Sequence, residues 1–558
     1  MPKVTIDGKV FDVEAGTTII KAASSNGIEI PHFCWHPALP ISGNCRMCLV
    51  EIENMPKLMI ACHTIVTDNM VVSTNSEKVI KARQTILEFL LINHPLDCPI
   101  CDEAGQCKLQ DYTMKYSLGN SRFEEVKNEK YKRHKIGPFI FYDAERCISC
   151  ARCIRFCYEV AKSTQLTFAN RGDRVSVQTF PGQLLDNPYS MNTIDGCPVG
   201  ALTSADFRFK ARVWEMSFTD SICIGCSRGC NIKIGVRNNE ILRLEPRENL
   251  NVNKYWMCDK GRLESCKHIT TDTRVEYPLV KRDEKLVRAS WDESIAQVVS
   301  LLKNYLPDEI YALCSAYSSV EDNYVFKKFF IDTLHIRQIN YIPHIDPNDE
   351  DSILVRADKT PNQRGLQELG IRPITEGDNL SSIIELIKEK KIKLLYIMDD
   401  DLFSLPQLAE VSDYLDIIIV HSLNKNETTK IANIILPCSS FAEINGTFVN
   451  FEGRIQRVLP ALSTLDRERT MDFYQLSRLD KFGTTFDRWN IPPKVDVRPS
   501  WKILTKFLKL FGASAQYSIV KEVFDEIVNV IPAFEGLSYD MLSNQGVLLK
   551  NNKQIKKV

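Results

Sequence analysis

This sequence carries no excess charge of either sign: Lys and Arg together number 70, against 71 for Asp and Glu. The balance excludes the basic field of a nucleic-acid binder and any acidic tail. Long apolar runs are missing too. The most apolar stretches, such as Ile86–Ile92 and Leu415–Val420, fall far short of the roughly 20 residues that cross a bilayer. The N-terminal stretch Met1-Pro-Lys-Val-Thr-Ile-Asp-Gly8 has neither the basic n-region nor the apolar h-region of a secretory signal. No Gly-x-Gly-x-x-Gly follows any strand-like run, so the Rossmann fingerprint is absent and neither NADH nor flavin is expected on this chain. Hydrophobic residues at 44% and charged residues at 25% are globular values. At 558 residues the chain should fill about three to five domains. One residue is plentiful: there are 19 cysteines, 16 of them before residue 260.

Without a secretory signal, and with thiols arriving in Cys-x2-Cys groups each followed by a single later Cys, metal centres in a reducing compartment fit better than disulfides. The first group is Cys34, Cys45, Cys48 and Cys62. It follows the alternating run Val4–Val13, whose Asp7-Gly8 predicts a type I′ hairpin, and a helix over 17–26 closed by Gly27. This order resembles a plant-type ferredoxin with a longer first spacing, ten residues between Cys34 and Cys45. The resemblance favours a 2Fe–2S cluster over a zinc site, which usually pairs two Cys-x2-Cys knuckles. The second group is His94, Cys98, Cys101 and Cys107. An amphipathic helix precedes it, with Thr74 and Glu77 as a capping-box pair and Arg83 as a basic residue on the edge of the apolar stripe. Three cysteines leave one iron open to His94, water or a distant Cys. His94 follows the helix that aims it at the three thiols and is taken as the ligand of a 4Fe–4S cluster.

Cys147, Cys150 and Cys153 form the run of bacterial ferredoxins, completed by the remote Cys197-Pro198 into a second 4Fe–4S site. Cys157 is left over as a buried thiol. Cys223, Cys226 and Cys230, with Cys258, make a fourth set of 4Fe–4S type, whose loops carry Gly225, Gly229 and Gly261 where backbone must turn closely. Fifteen cysteines and one histidine are thus used; Cys157, Cys266, Cys314 and Cys438 remain as core filler.

Residues 1–206 resemble the N-terminal module shared by the 75-kDa (G) subunit of respiratory complex I, iron-only hydrogenases and NAD-linked formate dehydrogenases. The His94-Cys98-Cys101-Cys107 set is its most specific element. From Asp220 onward the chain is similar to molybdopterin oxidoreductases: the fourth Cys set with Lys260-Gly-Arg262, Ser290–Ser294, Asn362–Gly365 and Glu443–Arg454. No cysteine set remains for an iron-only hydrogenase centre. Formate dehydrogenases bind molybdenum or tungsten through a Cys or selenocysteine beside a His, yet no Cys lies between Cys314 and Cys438, and His344 stands alone. Val497–Leu504, with its Arg-Pro-x-Trp-Lys, resembles the complex I subunit. Independently of any resemblance, the strand-like runs 310–315, 393–398, 417–421 and 431–436 alternate with helical stretches 291–305, 381–390 and 407–414, which predicts a parallel α/β layer. Helices are also predicted over 320–334 and 522–530.

The expectation is a multidomain α/β chain. It comprises a β-grasp 2Fe–2S ferredoxin domain over 1–77, a His/Cys3 4Fe–4S domain over 78–117, and a bacterial-ferredoxin-like 4Fe–4S domain over 118–215. A 4Fe–4S domain of molybdopterin-oxidoreductase type follows over 216–272, then a degenerate molybdopterin-oxidoreductase-like α/β domain over 273–495 and a helical extension over 496–558. The complex I resemblance implies a subunit that relays single electrons from a flavoprotein partner to other iron–sulfur subunits and toward quinone. It implies one 2Fe–2S and three 4Fe–4S clusters, no molybdopterin, and the Cys223 centre off the main path. It places the chain at the cytoplasmic side of the bacterial inner membrane, with membrane contact only through partners. The alternative is a formate dehydrogenase large subunit with molybdopterin. The basic tail Lys550–Lys557 reads as a solvated end, and Lys260 as a surface or cluster-neutralising lysine.

Overall fold

The structure is a computed structural model, and it describes residues 1–117, 119–336, 339–375, 379–469 and 494–550. The basic tail beyond Lys550 lies outside the described residues. The chain divides into two compact units, Met1–Met216 and Ser217–Val558.

The first unit opens with the hairpin Lys3–Ile6 and Lys9–Asp12, paired so that Ile6 faces Lys9. Asp7 and Gly8 both take positive φ, 45° and 79°, as a type I′ turn requires. The hairpin's first strand pairs in parallel with Met70–Ser73, which is joined in turn by Leu49–Ile52 and Met59–Ile60. Helix Ile19–Ser25 buries Ile19, Ile20, Ala22 and Ala23 against Val4, Ile6, Val50 and Val72 of this sheet. A five-stranded mixed sheet with one covering helix is a β-grasp. The helix is shorter than expected at both ends, and Gly27 follows it at φ 74°.

Two local expectations fail next door. Helix Glu77–Leu91 is N-capped by Ser76, whose Oγ accepts from the Val79 N–H. Thr74 lies two residues before the cap, and its N–H (2.7 Å) and hydroxyl (2.5 Å) donate instead to the carboxylate of Asp7. Arg83 is fully buried, not on the edge of the stripe. It donates to Tyr116 Oη (3.2 Å), Asn75 Oδ1 and the Leu49 carbonyl, and stacks on the Tyr116 ring. These bonds to its terminal nitrogens offset part of the cost of holding a guanidinium inside. The rest of this unit is a three-stranded sheet, Leu202–Ser204, Ile140–Tyr142 and His134–Lys135, together with the pair Leu166–Ala169 and Ser176–Thr179.

The second unit begins with the antiparallel strands Ser217–Ile222, Asn231–Arg237 and Glu240–Pro246. An eight-stranded sheet follows. Its six parallel strands run in the order Ile434–Pro437, Ile417–Ser422, Leu394–Met398, Ile310–Cys314, Ile339–Tyr341 and Arg372–Pro373. The antiparallel hairpin Leu279–Arg282 and Lys285–Arg288 closes one edge. Alternate residues feed opposite cores: Ala312, Tyr396, Met398 and Ile419 face one, and Leu313, Leu395, Ile397 and Val420 the other. Burial on both faces explains why these strands read as continuous apolar runs.

Some predicted elements shift. The strand expected from 431 starts at Ile434, because Ile431 ends a short helix, Glu427–Ile431. The stretch 407–414 breaks into Pro406–Ala409 and a 3₁₀ turn, Ser412–Tyr414. The helix at 320 changes to π geometry at Lys328–Thr333. The late helices Ser500–Leu510 and Val520–Val530 insert Trp501, Leu504, Phe507, Val523, Phe524 and Ile527 into the first of the two sheet cores.

The carboxylate of Glu321 is fully buried beside this core. It accepts from the Thr447 N–H and hydroxyl and from Tyr539 Oη, at 2.8–2.9 Å. Burial outweighs those bonds and pushes its pKa up to about 7. The folded chain therefore holds this proton to higher pH than the unfolded chain. Glu321's contribution to stability is fully present below its unfolded pKa and is lost as pH rises through about 7. Glu321→Gln, whose amide can serve the same partners, should match the wild-type melting temperature near ~pH 4.5 and exceed it near ~pH 8. Parallel melting curves across that range would refute the assignment.

Candidate iron–sulfur sites

In the first unit the four thiols of the Cys34 set lie together beside the β-grasp sheet. Cys34, Cys48 and Cys62 are buried and Cys45 is half-buried. The Cys34 N–H donates to Cys45 Sγ at 3.4 Å. The thiols interact as pairs, so a proton shared with Cys45 holds Cys34 down to about 5, and Cys48 likewise lowers Cys62.

In the second set, Cys101 and Cys107 are buried and Cys98 is exposed on its 3₁₀ turn. Cys107 Sγ points at the Pro198 carbonyl (4.0 Å), and burial pushes its thiol up to about 11. A Cβ added at Gly200 would lie 2.1 Å from Cys101 Sγ. Glycine is required here by close approach and not by backbone angle. Arg212 donates to the carbonyls of Cys101 (2.6 Å) and Pro99. His94 hangs just past helix Glu77–Leu91, whose terminal carbonyls of Leu91 and Ile92 accept from Lys127 Nζ. Burial first, then the charges of Arg146 and Lys127, hold His94 down to about 4. A neutral imidazole is the form that binds a metal.

Cys147, Cys150, Cys153 and Cys197 line one small cavity with Tyr142, Val177 and Leu202. Ser149 and Ala151 take positive φ, 53° and 61°, so the loop curls its sulfurs inward before helix Arg152–Glu159 begins. Burial pushes Cys150 up to about 11 and raises Cys153 and Cys197 as well. Cys157, left over by the spacing, is buried in that helix.

The loop of the third set touches the loops of both others. Asn44 Nδ2 donates to the Ser149 carbonyl (3.2 Å), and Arg155 to the carbonyls of Cys34 (2.5 Å) and Cys150 (3.3 Å). On the other side Arg146, with a side chain 4% exposed, pairs with Asp97 at 3.0 Å, while Lys132 bridges Asp97 (2.6 Å) and Glu145 (2.8 Å). Cysteine spacing gave no warning of these arginines. Their only signal was their interleaving with the thiols, at Arg146, Arg152 and Arg155.

In the second unit Cys223 directly follows strand Ser217–Ile222, Cys230 directly precedes Asn231–Arg237, and Cys258 N-caps helix Asp259–Glu264 through the Gly261 N–H. A Cβ at Gly261 would meet the sulfurs of both Cys223 and Cys258, at 3.0 and 3.1 Å. Burial raises Cys223 to about 11 and Cys258 to about 12. All four cysteines line a cavity of about 400 Å³. Its other walls are residues just past the carboxyl ends of parallel strands: Tyr317 and Ser318, Asp399, Leu423, and Ser439 and Ser440. Open α/β sheets place their clefts there. Lys260 and Asp349, also on the wall, form an ion pair that Lys359 joins at 3.2 Å. His344 is held by the Asp400 carboxylate at 3.0 Å and packs on Tyr317. Of the spare cysteines, Cys314 and Cys438 are buried, while Cys266 is only half-buried and not core. Among the described residues, no three His, Cys, Asp or Glu side chains gather closely enough to hold a single metal ion.

Comparison with known proteins adds five consecutive family matches. Residues 2–77 match a 2Fe-2S iron-sulfur cluster binding domain, and 83–122 the NADH-ubiquinone oxidoreductase-G iron-sulfur binding region. Residues 137–203 match the ferredoxin-like domain of NADH-quinone oxidoreductase subunit 3. Residues 216–264 match the molybdopterin oxidoreductase Fe4S4 domain, and 274–349 with 363–479 the molybdopterin oxidoreductase family. The NADH-quinone oxidoreductase (G) subunit of Rickettsia bellii is 42% identical over 347 residues, which is 61% of this chain and 50% of that protein. The 78-kDa mitochondrial NADH-ubiquinone oxidoreductase subunit of Neurospora crassa is 42% identical over 322 residues, 57% of this chain and 43% of its own. The 75-kDa NADH-ubiquinone oxidoreductase subunit of Reclinomonas americana is 40% identical over 364 residues, 64% of this chain and 52% of its own. The chain thus spans about half the length of the curated relatives it matches. Over the matched residues it is similar to the NADH-quinone oxidoreductase (G) subunit and its 75- and 78-kDa counterparts.

Proposed function

We propose that this chain is an iron–sulfur electron-transfer subunit of an NADH:quinone oxidoreductase, relaying single electrons from a flavoprotein subunit toward quinone. The 2Fe–2S cluster is assigned to Cys34, Cys45, Cys48 and Cys62. The three 4Fe–4S clusters go to His94/Cys98/Cys101/Cys107, to Cys147/Cys150/Cys153/Cys197 and to Cys223/Cys226/Cys230/Cys258. Such clusters carry one electron each and accept no hydride. The observation that carries the reading is the interlocking of three thiol sets in one unit. Residues beside the Cys147 set reach the Cys34 loop through Arg155 and the Cys98 loop through Arg146. That contact order matches a relay from the 2Fe–2S site to the ferredoxin-like site and on to the His94 site. We place the chain at the cytoplasmic side of the bacterial inner membrane, held there by partner subunits. Among the described residues no helix is long and apolar enough to cross a membrane.

Molybdopterin suits the second unit poorly. The cavity of about 400 Å³ lies near the lower end of the about 300–1,000 Å³ that ligand pockets span, and the fourth thiol set already lines it. Lys260, the lysine between cluster and pterin in the molybdenum enzymes, is engaged by Asp349. We assign the Cys223 cluster a structural role. Its loop is tied to strand Arg454–Val458, where Gln456 Nε2 donates to the Gly229 carbonyl (3.0 Å).

Anaerobic purification followed by iron, sulfide and molybdenum counting and low-temperature EPR tests the assignment. About 14 irons per chain, both cluster types and no molybdenum are expected. Stoichiometric molybdenum with formate turnover would instead make the chain a formate dehydrogenase. Gly200→Ala should displace Cys101 and remove about four irons and one 4Fe–4S signal, leaving the other sites loaded. Full loading of that variant would contradict the close approach. Cys226→Ser should lower the melting temperature, and an unchanged value would end the structural role of the fourth cluster.

A further inference from the structure

Helix Arg152–Glu159 places two arginines one turn apart at its start, between two thiol sets. Every hydrogen-bond acceptor the structure gives them is a backbone carbonyl. Arg152 donates to Gly196 (3.2 Å) and Trp35 (2.5 Å). Arg155 donates to Pro40, to Cys34 (2.5 Å), to Cys150 (3.3 Å) and to Ala151 (3.2 Å). Among the described residues neither makes an ion pair with a carboxylate, in contrast to Arg146, which pairs with Asp97. Both side chains are half-buried, and a guanidinium drawn partly out of water without a counter-anion is costly. Their electrostatic partners include the sulfurs of the two sets: Arg152 interacts with Cys150, Cys197, Cys34 and Cys45, and Arg155 with Cys34 and Cys150. Metal centres built on four thiolates are net anions, and each reduction adds a further negative charge.

We propose that Arg152 and Arg155 are cationic positioning residues shared by the Cys34 and Cys147 centres, which hold the two loops together and raise the reduction potential of both. A positive charge favours the reduced, more anionic form, and the effect is strong where water is excluded. It is confined to these two centres, because the carbonyls that hold Arg152 and Arg155 belong to the segments around the Cys34 and Cys147 sets, whereas the Cys101 loop is held by other cations, Arg146 and Arg212. This inference rests on the cluster assignment above.

The test is an EPR-monitored redox titration of the assembled complex carrying Arg152→Gln, Arg155→Gln or the corresponding lysine variants, with iron and sulfide counted in each. Each glutamine variant should lower the equilibrium constant for reduction about tenfold at both centres, about 59 mV for one electron. The potential of the His94-associated centre should not move. Lysine retains the charge without the fork of carbonyl contacts and should restore most of the shift. A purely mechanical role predicts equal behaviour of Gln and Lys, and fully loaded variants with unmoved potentials would overturn the inference. If a glutamine variant loses a centre, the lysine variant decides: loading with a near-wild-type potential supports the charge role, and the same loss refutes it. Wild-type protein lacking iron and sulfide at either set would be a failure of the cluster assignment, and is read before any variant.

Discussion

The structure depends on one electrostatic constraint, which is sulfur charge buried at many places in one chain. Burial pushes Cys107, Cys150 and Cys223 up to about 11 and Cys258 to about 12, so on their own these residues stay neutral thiols. A cluster needs them as thiolates, and loading must therefore release protons and leave net anions in dry surroundings. The chain answers with fixed cations and tight backbone. Arg146, Arg152 and Arg155 stand among the thiols of the first unit, and Gly200 and Gly261 let backbone pass where a methyl group would strike sulfur. The β-grasp sheet, the curled Cys147 loop and the hairpin-borne Cys223 loop are three different scaffolds, and each brings distant thiols to one place.

Much of this was legible because cluster chemistry constrains sequence spacing directly. Thiols two residues apart in an irregular loop leave a pattern visible without a fold, as do a type I′ Asp7-Gly8 turn and strands buried on both faces. What was not legible arises from partners distant in sequence. Thr74 looked like a helix cap, but it is anchored to Asp7, 67 residues earlier, and the helix begins two residues later with Ser76 as its cap. Arg83 looked like an edge residue because a long basic side chain usually snorkels to water. Tyr116, 33 residues later, gives it a buried partner instead. The guanidiniums linking the Cys34 and Cys147 loops span more than 100 residues of sequence, and no local pattern could announce them.

The second unit separates the position of a cavity from its chemistry. Parallel strands end on one side of the sheet, and the loops after Cys314, Met398, Ser422 and Pro437 supply the cavity wall whatever residues they carry. The side chains then decide what that wall can do. Lys260 is joined to Asp349, whose carboxylate Lys359 also pairs with. Asp399, which accepts from Cys438 Sγ at 3.3 Å, is raised by burial to about 6. Charges paired with one another are not available to hold a charged ligand, since a newcomer must first replace the partner already bound. The cleft comes from strand order, and any chemistry in it from the side chains that the loops carry. The late helices then gain a simple physical role: Trp501, Phe507 and Phe524 complete one of the two cores that sandwich the parallel strands whose carboxyl ends form the cleft.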